Sequence, residues 1–173
     1  VTSTFQIAIV GPECSGKTTL ARQLGNQLKA PVVPEIARDY LDDIGRDYSK
    51  DDVNKIAVLQ RDAALDAQKQ SPQALIHDTE MLTIKIWQEE KWEEASELVK
   101  RLWREQSANV YLLCFPDLPW EDDGLRENPT DRVRLFELYR NQLEEASADF
   151  HVIDGTGEAR LQSAIQAIEE LKQ

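Results

Sequence analysis

The sequence predicts an α/β fold: a five-stranded parallel sheet flanked by helices in three layers, with a helical lid over one end. Three observations carry this expectation. Five short apolar runs, rich in β-branched residues, alternate with segments of helical period along the 173 residues. Several of these runs are almost continuously apolar, as strands buried on both faces are. The first run passes through a glycine-containing turn straight into a helical pattern, which is the start of a strand–turn–helix unit.

In chain order, Phe5 to Val10 is the first strand and Gly16 to Leu28 the first helix, with Leu20, Leu24 and Leu28 on one stripe. Pro31 to Val33 is a short second strand, and Pro34 opens the helix behind it. Ser49 begins the next helix, with Asp51 and Asp52 in its first turn where the helix dipole favours carboxylates. That helix runs to about Gln70 and stops at Ser71-Pro72. Ala74 to His77 is the third strand, and Ala95, Leu98, Val99 and Leu102 mark one face of a later helix. Val110 to Phe115 is the fourth and clearest strand. Pro116 to Pro129 breaks the pattern with Pro, Gly and acidic residues and reads as a loop. Thr130 caps a helix reaching Ala146, with Val133, Phe136, Tyr139 and Leu143 inward. Phe150 to Ile153 is the fifth strand, and Leu161, Ala164, Ile165, Ile168 and Leu171 face the core from the last helix.

The length suits one domain, residues 1–173, with the lid at about 116–134. Apolar residues make up 41% and charged residues 30%, which excludes global disorder. The net charge of −12 argues against a nucleic-acid or anionic-membrane partner, since such binding needs clustered Lys and Arg. No apolar stretch approaches the ~20 residues of a membrane span. Two cysteines, Cys14 and Cys114, make no disulfide framework, so a cytoplasmic location is expected.

The turn after the first strand reads Gly11-Pro-Glu-Cys-Ser-Gly16-Lys17-Thr18, a complete G-x-x-x-x-G-K-[ST] phosphate loop in its proper strand–helix context. The fold expected is therefore that of the P-loop NTPases. Glycines let the backbone N–H groups of Glu13, Cys14, Ser15 and their neighbours through Thr19 converge on phosphate oxygens, and the helix start adds its positive end. Lys17 is placed to reach the β- and γ-phosphates, and the Thr18 hydroxyl to ligate Mg²⁺. ATP and Mg²⁺ are the cofactors this implies. Cys14 reads either as a thiol activated at a helix start or as a small filler of the loop.

A phosphate loop alone names no reaction. The Asn-Lys-x-Asp motif that reads guanine is absent, and Asp42 to Gly45 follows a helical pattern, so it reads as a helix end. Glu35 and Arg38, three apart on a helix, can both enter the crevice above the strand ends, or form an intrahelical ion pair. Asp78 ends an apolar strand, where a carboxylate holds magnesium, takes a proton from an attacking hydroxyl, or caps the helix that follows. His77 and His151 lack metal-ligand spacing, and His77 reads as a core histidine. Trp87, Trp92 and Trp103 lie on helical patterns and read as packing, whereas Trp120 sits in a loop beside charges and offers a face to a cationic ring. Arg126 and Arg132 bracket Asn128-Pro129 and read as lid cations over a transferring phosphoryl group, or as solvated surface charges. Gly155 and Gly157, after the fifth strand, make a turn able to pass close to a bound adenine.

Three segments beyond the phosphate loop resemble the ribosylnicotinamide kinase domain of the NadR proteins. They are Pro34-Glu-Ile-Ala-Arg-Asp-Tyr40, Ile76-His-Asp-Thr-Glu80 and Pro119-Trp-Glu-Asp-Asp-Gly-Leu-Arg126, in that family's order over residues 7 to about 157. Glu80 stands where the family has Asp, and Pro12 where it often has Gly. The resemblance implies phosphorylation of nicotinamide riboside to the mononucleotide, with the acceptor held by Glu35, Arg38, Asp78, Thr79, Trp120 and Asp123. Lys17, Arg126 and Arg132 would neutralise the phosphoryl group, and Asp78 first, Glu35 second, would orient the acceptor hydroxyl. The chain carries no DNA-binding or adenylyltransferase segment, so neither activity is expected of it. The rival reading is a nucleotide-binding sensor that keeps the fold without efficient transfer.

Overall fold

The computed structural model describes residues 4–122, 127 and 130–171. The chain runs β1 Phe5–Val10, α1 Lys17–Leu28, β2 Val32–Val33, α2 Ile36–Ile44, α3 Lys50–Gln68, β3 Ala74–Asp78, α4 Met81–Trp92, α5 Glu97–Glu105, β4 Val110–Cys114, α6 Arg132–Glu145, β5 Phe150–Ile153 and α7 Gly157–Glu170. The strands form one five-stranded sheet in the order β2-β3-β1-β4-β5, and every pairing is parallel.

β1 lies at the centre, and its alternating side chains feed two cores. Ile7 and Ile9 pack with Leu20 and Leu24 of α1 and with Leu161 and Ile168 of α7. Ala8 and Val10 pack on the other face with Leu82 and Ile86 of α4 and with Phe136, Tyr139 and Leu143 of α6. A third cluster, Val53, Ile56, Met81, Ile84, Val99 and Leu102, joins α3, α4 and α5. Burying both faces explains why β1 and β4 read as unbroken apolar runs.

Helix ends follow local chemistry. Ser49 accepts from the Asp52 N–H while the Asp52 carboxylate accepts from the Ser49 N–H, a capping box worth about 1 kcal/mol. Gly45 ends α2 in the left-handed region, φ 60°. Four expectations shift. α6 starts at Arg132 with Asp131, not Thr130, as its N-cap, and Val133 is 61% exposed. Leu135 is buried beside Phe136, Tyr139 and Leu143, which turns the centre of the apolar stripe away from Val133. Leu171 is exposed because it lies past the last turn of α7. The residue that caps α4 is Glu80, whose Oε2 accepts from the Leu82 N–H, and not Asp78. No helix among the described residues is long and apolar enough to cross a membrane.

Candidate active site

The loop between β1 and α1 lies over the carboxyl end of the central strand, where ligands bind in open parallel sheets. Gly11 has φ 138°, and a Cβ there would come 2.8 Å from the Cys114 carbonyl oxygen, so the loop can rest on β4 only without a side chain. Gly16 caps α1 at φ 79°, with no side chain occupying the first-turn N–H groups. The Ser15 hydroxyl donates to the Pro12 carbonyl at 2.7 Å, and Lys17 Nζ donates to the same oxygen at 2.9 Å. The ammonium expected on phosphate oxygens thus rests on the loop it belongs to. Cys14, at φ 54°, accepts at Sγ from the Glu121 N–H and donates to the Glu121 carbonyl, which ties the loop to the segment above it.

Behind this loop the Asp78 carboxyl is 4% exposed. Burial raises its pKa, opposed by a hydrogen bond with the Thr18 hydroxyl and by the charges of Lys17 and Arg38. Its Oδ1 has no hydrogen-bond partner among the described residues. A hydroxyl beside a carboxylate with a vacant oxygen is a hard-oxygen donor set, so Thr18 and Asp78 fit a magnesium ion.

A cavity of about 970 Å³ extends from the phosphate loop to α2 and α4. Glu35 and Arg38 both line it, although Glu35 is the extended N-cap of α2 (ψ 107°) rather than a residue within the helix. Gln60 sets that bend: it accepts from the Ile36 N–H at 3.0 Å and donates to the Pro34 carbonyl at 2.9 Å. Asp52 fixes the next loop, accepting from both Arg46 amines and from the Tyr40 hydroxyl. The Arg46 guanidinium first, and Ser49 after it, hold this carboxyl well below the usual carboxylate range.

The far wall of the cavity is aromatic. Trp87 and Tyr48 meet edge to face with centroids 5.1 Å apart, and the Trp87 indole donates to the Tyr48 oxygen at 3.0 Å. The Lys91 ammonium stands 3.8 Å from the centre of the Tyr48 ring. Glu127 accepts from Tyr48 and from Lys91, and its N–H donates to the Glu13 carboxylate at 3.0 Å. One residue, Glu127, thereby touches both ends of the cavity.

The other expected site residues are spread more widely. Arg132 donates to the carbonyls of Cys14 and Leu118. Trp120 is not among the residues lining the cavity, and the Arg132 guanidinium stands 5.9 Å from its ring. Thr79, at φ 82°, is buried and lines a separate cavity with His77 and Glu80. Burial lowers His77 to about 4, and its Nε2 lies 2.6 Å from Gln6, so it is a neutral core histidine. Gly155 lies in the turn between β5 and α7 and Gly157 opens α7, both at positive φ. Asp123 and Arg126 lie outside the described residues. Tyr48, Trp87, Lys91, Glu127 and Gln60 carried no motif in the sequence.

Residues 6–160 match the AAA domain family. The chain belongs to this family. As an AAA domain it is 27% identical over 174 residues to the trifunctional NAD biosynthesis/regulator protein NadR of Salmonella typhimurium, covering 95% of this chain. The AAA domain spans 42% of that relative's length. Two solved structures share its fold: NadR in complex with NR, TM-score 0.84 at 24% identity over 98% of this chain and 52% of that one, and NadR in complex with NAD and AMP-PNP, 0.80 at 22% over 98% and 50%. Deoxyadenosine kinase from M. mycoides matches 95% of the AAA domain and 99% of its own chain, with a TM-score of 0.60 and 14% identity. The fold is that of the P-loop kinases, a five-stranded parallel sheet flanked by helices.

Proposed function

We propose that this AAA domain, residues 1–173 acting as one unit with a lid at about 116–134, is an ATP- and Mg²⁺-dependent kinase. Its acceptor is nicotinamide riboside, converted to the mononucleotide in the cytoplasm. The observation that carries this reading is a single cavity that joins a phosphate loop to a wall of Tyr48, Trp87 and carboxylates. It supports a triphosphate at one end and a cationic ring with a sugar at the other. The NR and AMP-PNP held in the two NadR structures of the same fold support the same pair of ligands.

Phosphoryl transfer asks a protein mainly for positioning and charge neutralisation. Lys17 leaves the Pro12 carbonyl for the phosphates, and the backbone from Gly11 through Thr19, which lines the cavity, cradles them. Gly155 and Gly157, outside the cavity lining, would pass near the base only at its edge. Magnesium, held by Thr18 and Asp78, supplies charge neutralisation at the phosphates when bound. Glu35 lines the cavity while Asp78 sits behind Thr18, so Glu35 accepts the proton of the acceptor hydroxyl and Asp78 serves the metal. Arg38 and Asp123 complete the acceptor set and Arg126 and Arg132 bring lid charge to the phosphoryl group, while Thr79, in the separate cavity, and Trp120, off the cavity lining, are left out of it.

The test is incubation with ATP, Mg²⁺ and a panel of ribosides, read by product mass. A gain of one phosphate on nicotinamide riboside, faster than on uridine or cytidine, is expected. No phosphorylated product from any riboside overturns the reading.

A further inference from the structure

Arg160 of α7 is among the few charged side chains buried in the protein, 6% exposed, and it reaches three separate loops. Its Nη2 donates to the Ser15 carbonyl of the phosphate loop at 2.7 Å and to the Phe115 carbonyl after β4 at 2.8 Å. Its Nη1 donates to Asp117 Oδ1 at 2.7 Å and to the Gly155 carbonyl after β5 at 2.5 Å. Asp117 closes the ring by accepting from the Gly155 N–H at 2.6 Å. Nε stands beside Gly16, 3.7 Å from where a Cβ would lie, and has no acceptor among the described residues. Burial alone would raise the Asp117 carboxyl, yet Arg160 and the Gly155 N–H together hold it below its ordinary value.

A loop that binds anions through its N–H groups must turn its carbonyls away from the anion. Ser15 is 1% exposed, so its outward carbonyl has no water to meet and needs a protein donor. Arg160 is that donor. The planar guanidinium can serve several carbonyls and a carboxylate at once, which a single ammonium cannot.

We propose that Arg160 is the positioning residue of the nucleotide site: it fixes the peptide orientation of the phosphate loop at Ser15 and couples that loop to the lid root at Asp117 and to the turn at Gly155. The inference rests on the nucleotide-binding part of the function proposed above. Arg160 reaches the ligand through the loops it holds, and the acceptor wall built from α2, the loop after it and α4 lies outside its contacts.

The experiment compares R160K and D117N with the parent protein by calorimetric titration of Mg²⁺–AMP-PNP and, separately, of nicotinamide riboside, alongside thermal melting. R160K is expected to weaken AMP-PNP binding at least tenfold and to raise KM for ATP more than it lowers kcat, while riboside affinity changes less than twofold. D117N is expected to show the same pattern in smaller measure, and it carries the test should R160K fail to fold. AMP-PNP affinity equal to the parent's in the folded variants overturns the inference and leaves the proposed function standing. Equal weakening of both ligands also overturns it, since a merely structural role acts that way. A parent protein that binds no AMP-PNP overturns the function and this inference together.

Discussion

The guanidinium of Arg132 donates to the carbonyl oxygen of Cys14 at 3.2 Å and to that of Leu118 at 2.8 Å. The first residue of α6 is thereby fastened to both the phosphate loop and the segment after β4. Arg132→Ala is expected to lower kcat by about 10²-fold with a smaller change in KM for ATP, because a preorganised cation acts chiefly on charge developing in the transition state. Steady-state kinetics with ATP varied at saturating riboside decides this, and a change confined to KM would make Arg132 a ground-state contact.

Lys17 makes one hydrogen bond, to the Pro12 carbonyl, and is only half-buried. Lys17→Ala is expected to remove phosphoryl transfer, by about 10³-fold or more, with little change in thermal midpoint. Residual turnover near the parent rate would take the phosphate loop out of the chemistry.

Glu80 is buried at the start of α4, and burial pushes its carboxyl up to about 8 from an ordinary 4.5. The folded protein therefore binds a proton that the unfolded chain has released. The stability this lends is complete below about pH 4.5, falls as pH rises, and is gone above the folded pKa of about 8. Glu80→Gln keeps an acceptor for the Leu82 N–H and has no proton to lose. Its thermal midpoint is expected to match the parent's near pH 4 and to exceed it by a growing margin at pH 6 and pH 8.5, with a constant difference across these pH values arguing against a protonated Glu80.

The Trp87–Tyr48 wall bears on acceptor choice. A cation facing an aromatic ring gains about 0.5–2 kcal/mol, so Trp87→Ala is expected to cut kcat/KM for nicotinamide riboside about 2- to 30-fold more than for uridine. The same comparison on Trp120→Leu separates this wall from the lid aromatic. Equal losses for charged and neutral ribosides would assign Trp87 to packing alone.

What the sequence disclosed was local. β1, the phosphate loop and β4 were legible because an apolar run and a fixed spacing of Gly, Lys and Thr each lie within a dozen residues. α4 was harder to delimit, since Met81, Leu82, Ile84, Ile86 and Gln88 are buried on several of its sides and leave no single stripe. The placement of Glu35 at a helix cap instead of within the helix turns on Gln60, whose two hydrogen bonds reach back across α3. Tyr48 meets Trp87, Asp117 meets Arg160, and Glu13 meets Glu127 only through tertiary contact, at separations of 39, 43 and 114 residues. No spacing rule reaches so far, and two of those pairs build the walls of the cavity while the third pins its floor.

The strand order β2-β3-β1-β4-β5 places the central strand, and so the phosphate loop, between two halves of the chain. Residues 34–92, which return to the sheet through β3, supply Glu35, Arg38, Tyr48, Trp87 and Lys91 to the cavity. Residues 114–160, on the β4–β5 side, supply the lid segment and the Arg160 clamp. Under the proposed function, drift in the first half would retune which alcohol is phosphorylated while the phosphate loop and the second half keep the triphosphate, and a chimera exchanging 34–92 with a P-loop kinase would inherit its donor from one parent and its acceptor from the other.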